Sequence, residues 1–147
     1  MDSNCLFCKI VAGDIPCHKL YEDERVLAFL DIGPLSAGHT LVVPKHHAAA
    51  LHDLPDEDAA AVGRVLPRLG KAVTQAVGIE AYNVLQNNGA PAGQVVMHVH
   101  LHIIPKPAEA PRTGGPPGSG LGIHWPGGKL EPDQAKPLIE KITAALG

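Results

Sequence analysis

His98-Val99-His100-Leu101-His102-Ile103-Ile104 is the stretch on which the reading of this chain turns. Side chains on an extended strand alternate between faces, so His98, His100 and His102 share one face while Val99, Leu101 and Ile103 take the other. The apolar set packs on a core, and the histidines form a row spaced roughly 6.6 Å apart. That spacing separates roles: one imidazole can meet a substrate while its neighbours orient it or donate a proton. Residues 95–104 read as one strand, stopped by Pro105. Taken alone the row has three readings: nucleophilic or acid–base work, metal binding through His-x-His, or a structural set that needs buried partners. Just upstream, Asn87-Asn88-Gly89-Ala90-Pro91-Ala92-Gly93-Gln94 is a loop whose amides and carboxamides suit phosphate oxygens, although Asn-Gly is most often only a turn.

Working outward, residues 82–86 read as a strand before that loop, and 26–31 and 39–43 as two more, broken by Gly33-Pro34 and Pro44. Residues 5–12 suit a short helix ended by Gly13. Pro55 followed by Asp56, Glu57 and Asp58 suits a helix start, because acidic groups favour the positive end of the helix dipole. Val62, Val65, Leu66, Leu69, Val73 and Val77 then recur at helical spacing. Pro67 lies inside that run, and an interior proline costs about 3 kcal/mol and should kink it. Nine of the sixteen residues from Pro105 to Gly120 are Gly or Pro, which predicts a linker or arm. A helix over residues 132–146 closes the chain. Strands in hairpin order around one long helix give an α+β domain with an antiparallel sheet. The organisation reads as a domain at 1–105 and an arm with its helix at 106–147.

A chain of 147 residues, 45% apolar, can bury a core without disulfides. Its net charge of −3 argues against a broad basic surface for nucleic acid or an anionic membrane. No apolar run approaches the roughly 18 residues of a membrane span. Three cysteines cannot pair off completely and no apolar leader precedes them, so the expected setting is a reducing cytoplasm.

With these pieces in place, the chain resembles the histidine-triad (HIT) superfamily and, within it, the Hint-like branch. The resemblance runs from about Cys5 to Pro105. It is carried by Phe7-Cys8-Lys9-Ile10, Ala28-Phe29-Leu30-Asp31-Ile32, Gly38-His39-Thr40-Leu41-Val42-Val43-Pro44-Lys45, Asn88-Gly89, Gly93-Gln94 and His98-Val99-His100-Leu101-His102, in that order. It implies a HIT-like fold: a five-stranded antiparallel sheet, a long helix and a short N-terminal one, in a homodimer whose two sheets join. It also implies an enzyme that cleaves purine nucleoside phosphoramidates or acyl-nucleotides to the monophosphate through a nucleotidyl-histidine intermediate. His100 matches the nucleophile, with His39, His98 and His102 beside it. A neutral imidazole, with an ordinary pKa near 6.5, is nucleophilic at pH 7 without costly activation. Asp31 matches the ribose-hydroxyl acceptor. Phe7, Ile10, Phe29 and Ile32 match the apolar slot for the base, and Asn87, Gly93, Gln94 and loop amides the phosphate grip.

The sequence departs from this pattern in two places. Val95 stands where relatives commonly carry Ser or Thr, which removes a hydrogen bond to phosphate worth about 1 kcal/mol or more. Ile123-His124-Trp125-Pro126 follows the triad much later than the similar His-Trp-Pro of Hint proteins. Two other functions remain open: a zinc-stabilised nucleotide-binding protein with weak catalysis, or a dinucleoside polyphosphate hydrolase in the Fhit manner.

Cys5-x-x-Cys8 could be a redox pair, but no strand precedes it as a thioredoxin-like motif requires. It could equally be half of a zinc site, with His46, His47 and His98 as candidate partners. The resemblance to bacterial HIT proteins that begin with Cys-x-x-Cys implies Cys5, Cys8, His47 and His98, a set that suits a closed tetrahedral structural zinc. Such a site leaves His98 unable to act as proton donor. It would pin the N-terminal helix to the catalytic strand without touching the chemistry, and catalysis itself needs no cofactor. Cys17 and His18 read as ordinary loop residues.

Overall fold

The computed structural model describes residues 4–108 and 128–147. Five strands form one antiparallel sheet in the order β1-β2-β3-β5-β4: β1 (Lys19–Glu22), β2 (Val26–Leu30), β3 (Thr40–Pro44), β4 (Tyr82–Gln86) and β5 (Leu101–Pro105). Helix α1 (Leu6–Ala12) precedes the sheet, α2 (Asp56–Val77) joins β3 to β4, and α3 (Pro132–Leu146) ends the chain. The α+β architecture expected from the sequence is the one observed. The arm from residue 109 onward and the His-Trp-Pro segment, Ile123 to Pro126, lie outside the described residues, while Pro105, read as the start of the arm, ends β5.

Every residue of β2 and β3 is buried, because both faces of the sheet are covered. On one face Val26, Ala28, Leu30, Val42 and Ile103 pack against Ala61, Val62, Val65, Leu69 and Val73 of α2, with Ala135 and Ile142 of α3 in the same core. On the other face Leu27, Phe29, Leu41 and Val43 meet Phe7 and Cys8 of α1. The period-two alternation of β2 thus divides the molecule into a structural side and a side that carries α1 and the histidines.

Helix α2 is a single element of 22 residues with Pro67 inside it. Burying a Val or Leu side chain contributes roughly 1.5–3 kcal/mol, and Val62, Val65, Leu69 and Val73 together outweigh the cost of one interior proline. Gly78 ends the helix in the left-handed region at φ 69°, its N–H donating to the Thr74 carbonyl.

Two expectations about strands need correction. The sequence reading skipped β1 because its burial is that of an edge: only Leu20 of Lys19-Leu20-Tyr21-Glu22 is buried, and a bulge lies between Lys19 and Tyr21. The last strand, expected over 95–104, begins only at Leu101. Its pairing with β3 stops at Val42↔Leu101, since the chain beyond reaches Pro44, which brings no N–H to a ladder. His98 and His100 therefore precede the ladder. The alternation survives nonetheless: Val99 is buried against Ala48 and Leu54, while the rings of His98 and His100 both lie edge-on to Phe7.

Candidate active site

A cavity of about 1060 Å³ opens on the α1 side of the sheet. Phe7, Ile10, Phe29 and Ile32 line it, as do Asp31, Asn87, His100 and His102. The apolar residues come from α1, β2 and the turn after β2, and the polar ones from the strand ends and the loop after β4. No lysine or arginine lines it among the described residues. Ile32 is 69% exposed, so it reads as a rim residue rather than core, whereas Phe7 and Phe29 are buried and meet edge-to-face with ring centroids 5.8 Å apart.

The main chain dictates the proton positions on the histidines. An amide N–H can only donate and a carbonyl can only accept, so each fixes the tautomer of the ring it touches. Leu35 N donates to His39 Nδ1 at 3.0 Å. His39 then carries its proton on Nε2 and donates it to His102 Nδ1, 3.0 Å away. His102 in turn carries its proton on Nε2. His100 runs the other way: its Nδ1 lies 2.7 Å from the His98 carbonyl and must donate, which leaves the lone pair on Nε2. The cavity thus has on its wall one imidazole with a free lone pair and, beside it, a second whose Nε2 carries a proton. The two rings lie edge-to-face with centroids 4.9 Å apart.

Burial makes these rings neutral. It pushes His39 down to about 4 and His102 down to about 3, the latter helped by His100 and His39. His100 is also lowered by burial, partly offset by its bond to the His98 carbonyl and by the charge of Asp31. Asp31 directly follows β2; Gly33 N donates to its Oδ1 at 2.8 Å, and its Oδ2 sits 3.5 Å from His39 Nε2.

The loop after β4 is braced from within. Gln94 is buried and faces inward: its Oε1 accepts from Gly89 N at 2.7 Å, and its Nε2 donates to the carbonyls of Ala49 at 2.7 Å and Val96 at 3.0 Å. The amides of Ala92, Gly93 and Gln94 close the turn on the carbonyls of Gly89 and Ala90. Gln94 therefore braces the loop; Gly93 supplies its left-handed corner at φ 94° and lines the cavity wall with Asn87. Val95, 88% exposed, lines the same wall.

Behind this wall Cys5, Cys8, His47 and His98 converge, their ligand atoms all within 4.8 Å of one another. Cys5 Sγ and Cys8 Sγ lie 3.3 and 3.6 Å from His98 Nδ1, Cys8 Sγ lies 3.3 Å from His47 Nδ1, and the two Nδ1 atoms are 3.2 Å apart. Ligand atoms of a tetrahedral ion with bonds of about 2.0–2.1 Å to nitrogen and about 2.3 Å to sulfur sit about 3.3–3.8 Å from each other. The donor set fits such an ion. His98 Nε2 donates to the Pro44 carbonyl at 2.7 Å, which turns its Nδ1 lone pair toward the cluster in the manner of an outer-shell partner. His46 stays outside, 3.9 Å from Asp58.

Sequence reasoning missed three contributors. The Leu35 amide and the Pro44 carbonyl are main-chain groups with no signature in side-chain type. Cys17, read as an ordinary loop residue, lines the cavity, and burial pushes its thiol up.

A family model described as the HIT domain matches residues 12–109. The adenosine 5′-monophosphoramidase hnt1 of Schizosaccharomyces pombe is 53% identical over 143 residues, covering 97% of this chain and 98% of that protein. The crystal structure of a Hit-like protein from Bartonella henselae superposes with a TM-score of 0.82 at 32% identity, covering 99% of this chain and 98% of that one. A zinc-bound histidine triad family protein from Mycobacterium smegmatis superposes with a TM-score of 0.77 at 35% identity, over 97% and 93% of the two chains.

Proposed function

From the premise that this chain belongs to the HIT family, we propose that it is a nucleoside phosphoramidase that splits a purine nucleoside phosphoramidate into the monophosphate and an amine. One observation carries the reading: His100 gives its Nδ1 proton to the His98 carbonyl, so an unprotonated Nε2 is left on the wall of a nucleotide-sized cavity.

The base lies against Phe7, Ile10, Phe29 and Ile32, and Asp31 accepts from the ribose hydroxyls. His100 Nε2 bonds to the α-phosphorus as the P–N bond breaks, and the departing nitrogen takes one proton. Neutral His102 is too weak an acid to supply it; its Nε2–H instead holds a phosphate oxygen and stabilises the charge that builds there. The cavity is open to solvent, so hydronium from bulk protonates that nitrogen as the bond breaks and it leaves as a neutral amine. Water then attacks the nucleotidyl-histidine, delivering hydroxide to phosphorus and returning one proton to solvent, and His100 is back in its starting state. His39 fixes the tautomer of His102, and Gln94 and Gly93 shape the loop that carries Asn87. Zinc held by Cys5, Cys8, His47 and His98 would have all four positions filled by protein, which suits a structural part.

The test is incubation with adenosine phosphoramidate. AMP and a transient nucleotidyl-protein are expected, both lost in His100→Ala; full activity in that variant sinks the proposal. Exposed Val95, which offers no hydroxyl to phosphate, supports a second reading in which nucleotide is bound tightly and turned over slowly. Among the described residues the cavity wall brings no lysine or arginine, which disfavours dinucleoside polyphosphates, whose leaving group is a highly charged anion.

A homodimer is proposed on the edge of β4. Tyr82-Asn83-Val84-Leu85-Gln86 has no charge or proline to block pairing, and Tyr82 and Val84 are 41% and 49% exposed. A second copy continuing the sheet there covers them. None of the three cysteines forms a disulfide, in keeping with a reducing compartment, and among the described residues no helix is long and apolar enough to cross a membrane.

A further inference from the structure

We infer that closure of the Cys5–Cys8–His47–His98 cluster around a metal ion sets the aim of the nucleophile, and that Phe7 is a positioning residue for His100. The inference rests on the metal reading above and departs from the expectation that the cluster leaves the chemistry untouched.

Two links connect cluster and nucleophile. The first runs through His98. Its ring is a cluster member through Nδ1 and is tied to the Pro44 carbonyl through Nε2, so the whole residue is held at both ring nitrogens. The main-chain carbonyl of the same residue takes the Nδ1 proton of His100 at 2.7 Å. Whatever fixes His98 fixes the acceptor that gives His100 its tautomer. The second link runs through α1. Cys5 is the N-cap of that helix and Cys8 lies in its first turn, with Cys8 N donating to Cys5 Sγ at 3.3 Å. Phe7 sits between them. Its ring stands edge-to-face on His100, with centroids 5.0 Å apart and planes at 80°, and on His98 at 5.9 Å. A helix of seven residues has little stability of its own, and the cluster fastens this one to the sheet. Loss of the ion frees both the His98 carbonyl and the Phe7 ring, the two groups that hold the His100 imidazole in plane and in tautomer.

The test compares metal-loaded and chelated protein by metal stoichiometry, far-UV circular dichroism and ¹⁵N shifts of the His100 ring, which report its tautomer. One ion per chain is expected. The loaded form should show His100 protonated at Nδ1, and the chelated, still folded form a mixture of tautomers. With adenosine phosphoramidate, kcat should fall about 10- to 100-fold on chelation, the range typical when an outer-shell partner is lost. Phe7→Leu, which keeps an apolar wall but removes the ring edge, should lower kcat more than it raises KM in the loaded protein, whereas a wall residue alone would move KM. His47→Ala at limiting metal supplies an under-occupied form if chelation unfolds the chain, since His47 belongs to neither link. One bound ion with His100 shifts unchanged on its removal overturns the coupling alone. No bound ion overturns the metal reading and the coupling together.

Discussion

His39→Leu removes an imidazole that touches no substrate and should nevertheless disable the site. His39 is buried and of similar bulk to leucine, so packing changes little. What changes is proton bookkeeping. His102 Nδ1 now receives its hydrogen bond from His39 Nε2 at 3.0 Å, and that bond forces the His102 proton onto Nε2, where the phosphate needs a donor. Without His39, the proton of His102 moves to Nδ1, where the Asp31 carboxylate favours it, and a lone pair faces the phosphate oxygen. A donor becomes an acceptor. Removing one donor aimed at a developing oxyanion typically costs about 10²–10³ in kcat. The same substitution strips Leu35 N of the partner it holds at 3.0 Å; Leu35 is only half-buried, so the loss sits at the low end of the range for an unsatisfied amide, about 1 kcal/mol. For a domain of this size each kcal/mol shifts Tm by roughly 2–4 °C, so a fall of about 2–4 °C is expected. The assays are steady-state release of AMP from adenosine phosphoramidate, AMP binding, and ¹⁵N shifts of the His102 ring. Binding should change by less than about threefold while kcat drops, because the altered contact strengthens mainly in the transition state. His39→Gln, which keeps a donor and an acceptor on one side chain, should recover part of the loss. A kcat within tenfold of wild type, or an unchanged His102 tautomer in His39→Leu, refutes the relay.

Acid should unfold the protein through the same ring. Burial holds His39 at about 4 against an unfolded value near 6.5, so between these pH values the unfolded chain binds the extra proton and stability declines as pH falls. The full shift is worth about 3 kcal/mol, present above pH ~6.5 and lost progressively toward pH ~4; urea midpoints at pH 7.5 and 4.5 should show it, with a smaller difference in His39→Leu. Gly38→Ala should destabilise by about 1–3 kcal/mol in urea titration, since Gly38 has φ +88° and a Cβ there would lie 2.9 Å from Val77 Cγ1 and 3.1 Å from Val73 Cγ1. A smaller effect would show that the turn into β3 can move without cost. Val84→Lys places a charge on the exposed edge of β4 and should turn a dimer into a monomer in light scattering after gel filtration. An unchanged mass rules out the sheet-edge interface.

The sequence carries the side-chain half of this site and is silent on the main-chain half. Period-two alternation places His98 and His100 together on the Phe7 side and buries Val99 on the other, and that holds even where strand pairing ends. The ligand set Cys5, Cys8, His47 and His98 converges because a histidine after the β3 end and one before β5 both face α1. Helix α2 tolerates Pro67 because several buried valines and leucines outvote one local preference. Residue types fail where the deciding atoms are amides and carbonyls. Leu35 N, Pro44 O and His98 O choose the protonation of three rings, and any amino acid but proline would offer the amide while every one offers the carbonyl. Gln94 shows the converse: a carboxamide beside a glycine looks like a phosphate ligand, while in the structure its amide group is engaged by Gly89 N, Ala49 O and Val96 O. Which nitrogen of His100 keeps its lone pair is thus set by chain geometry around the histidines. A variant that keeps all four histidines but shifts the His98 carbonyl should lose activity as surely as one that deletes a ring.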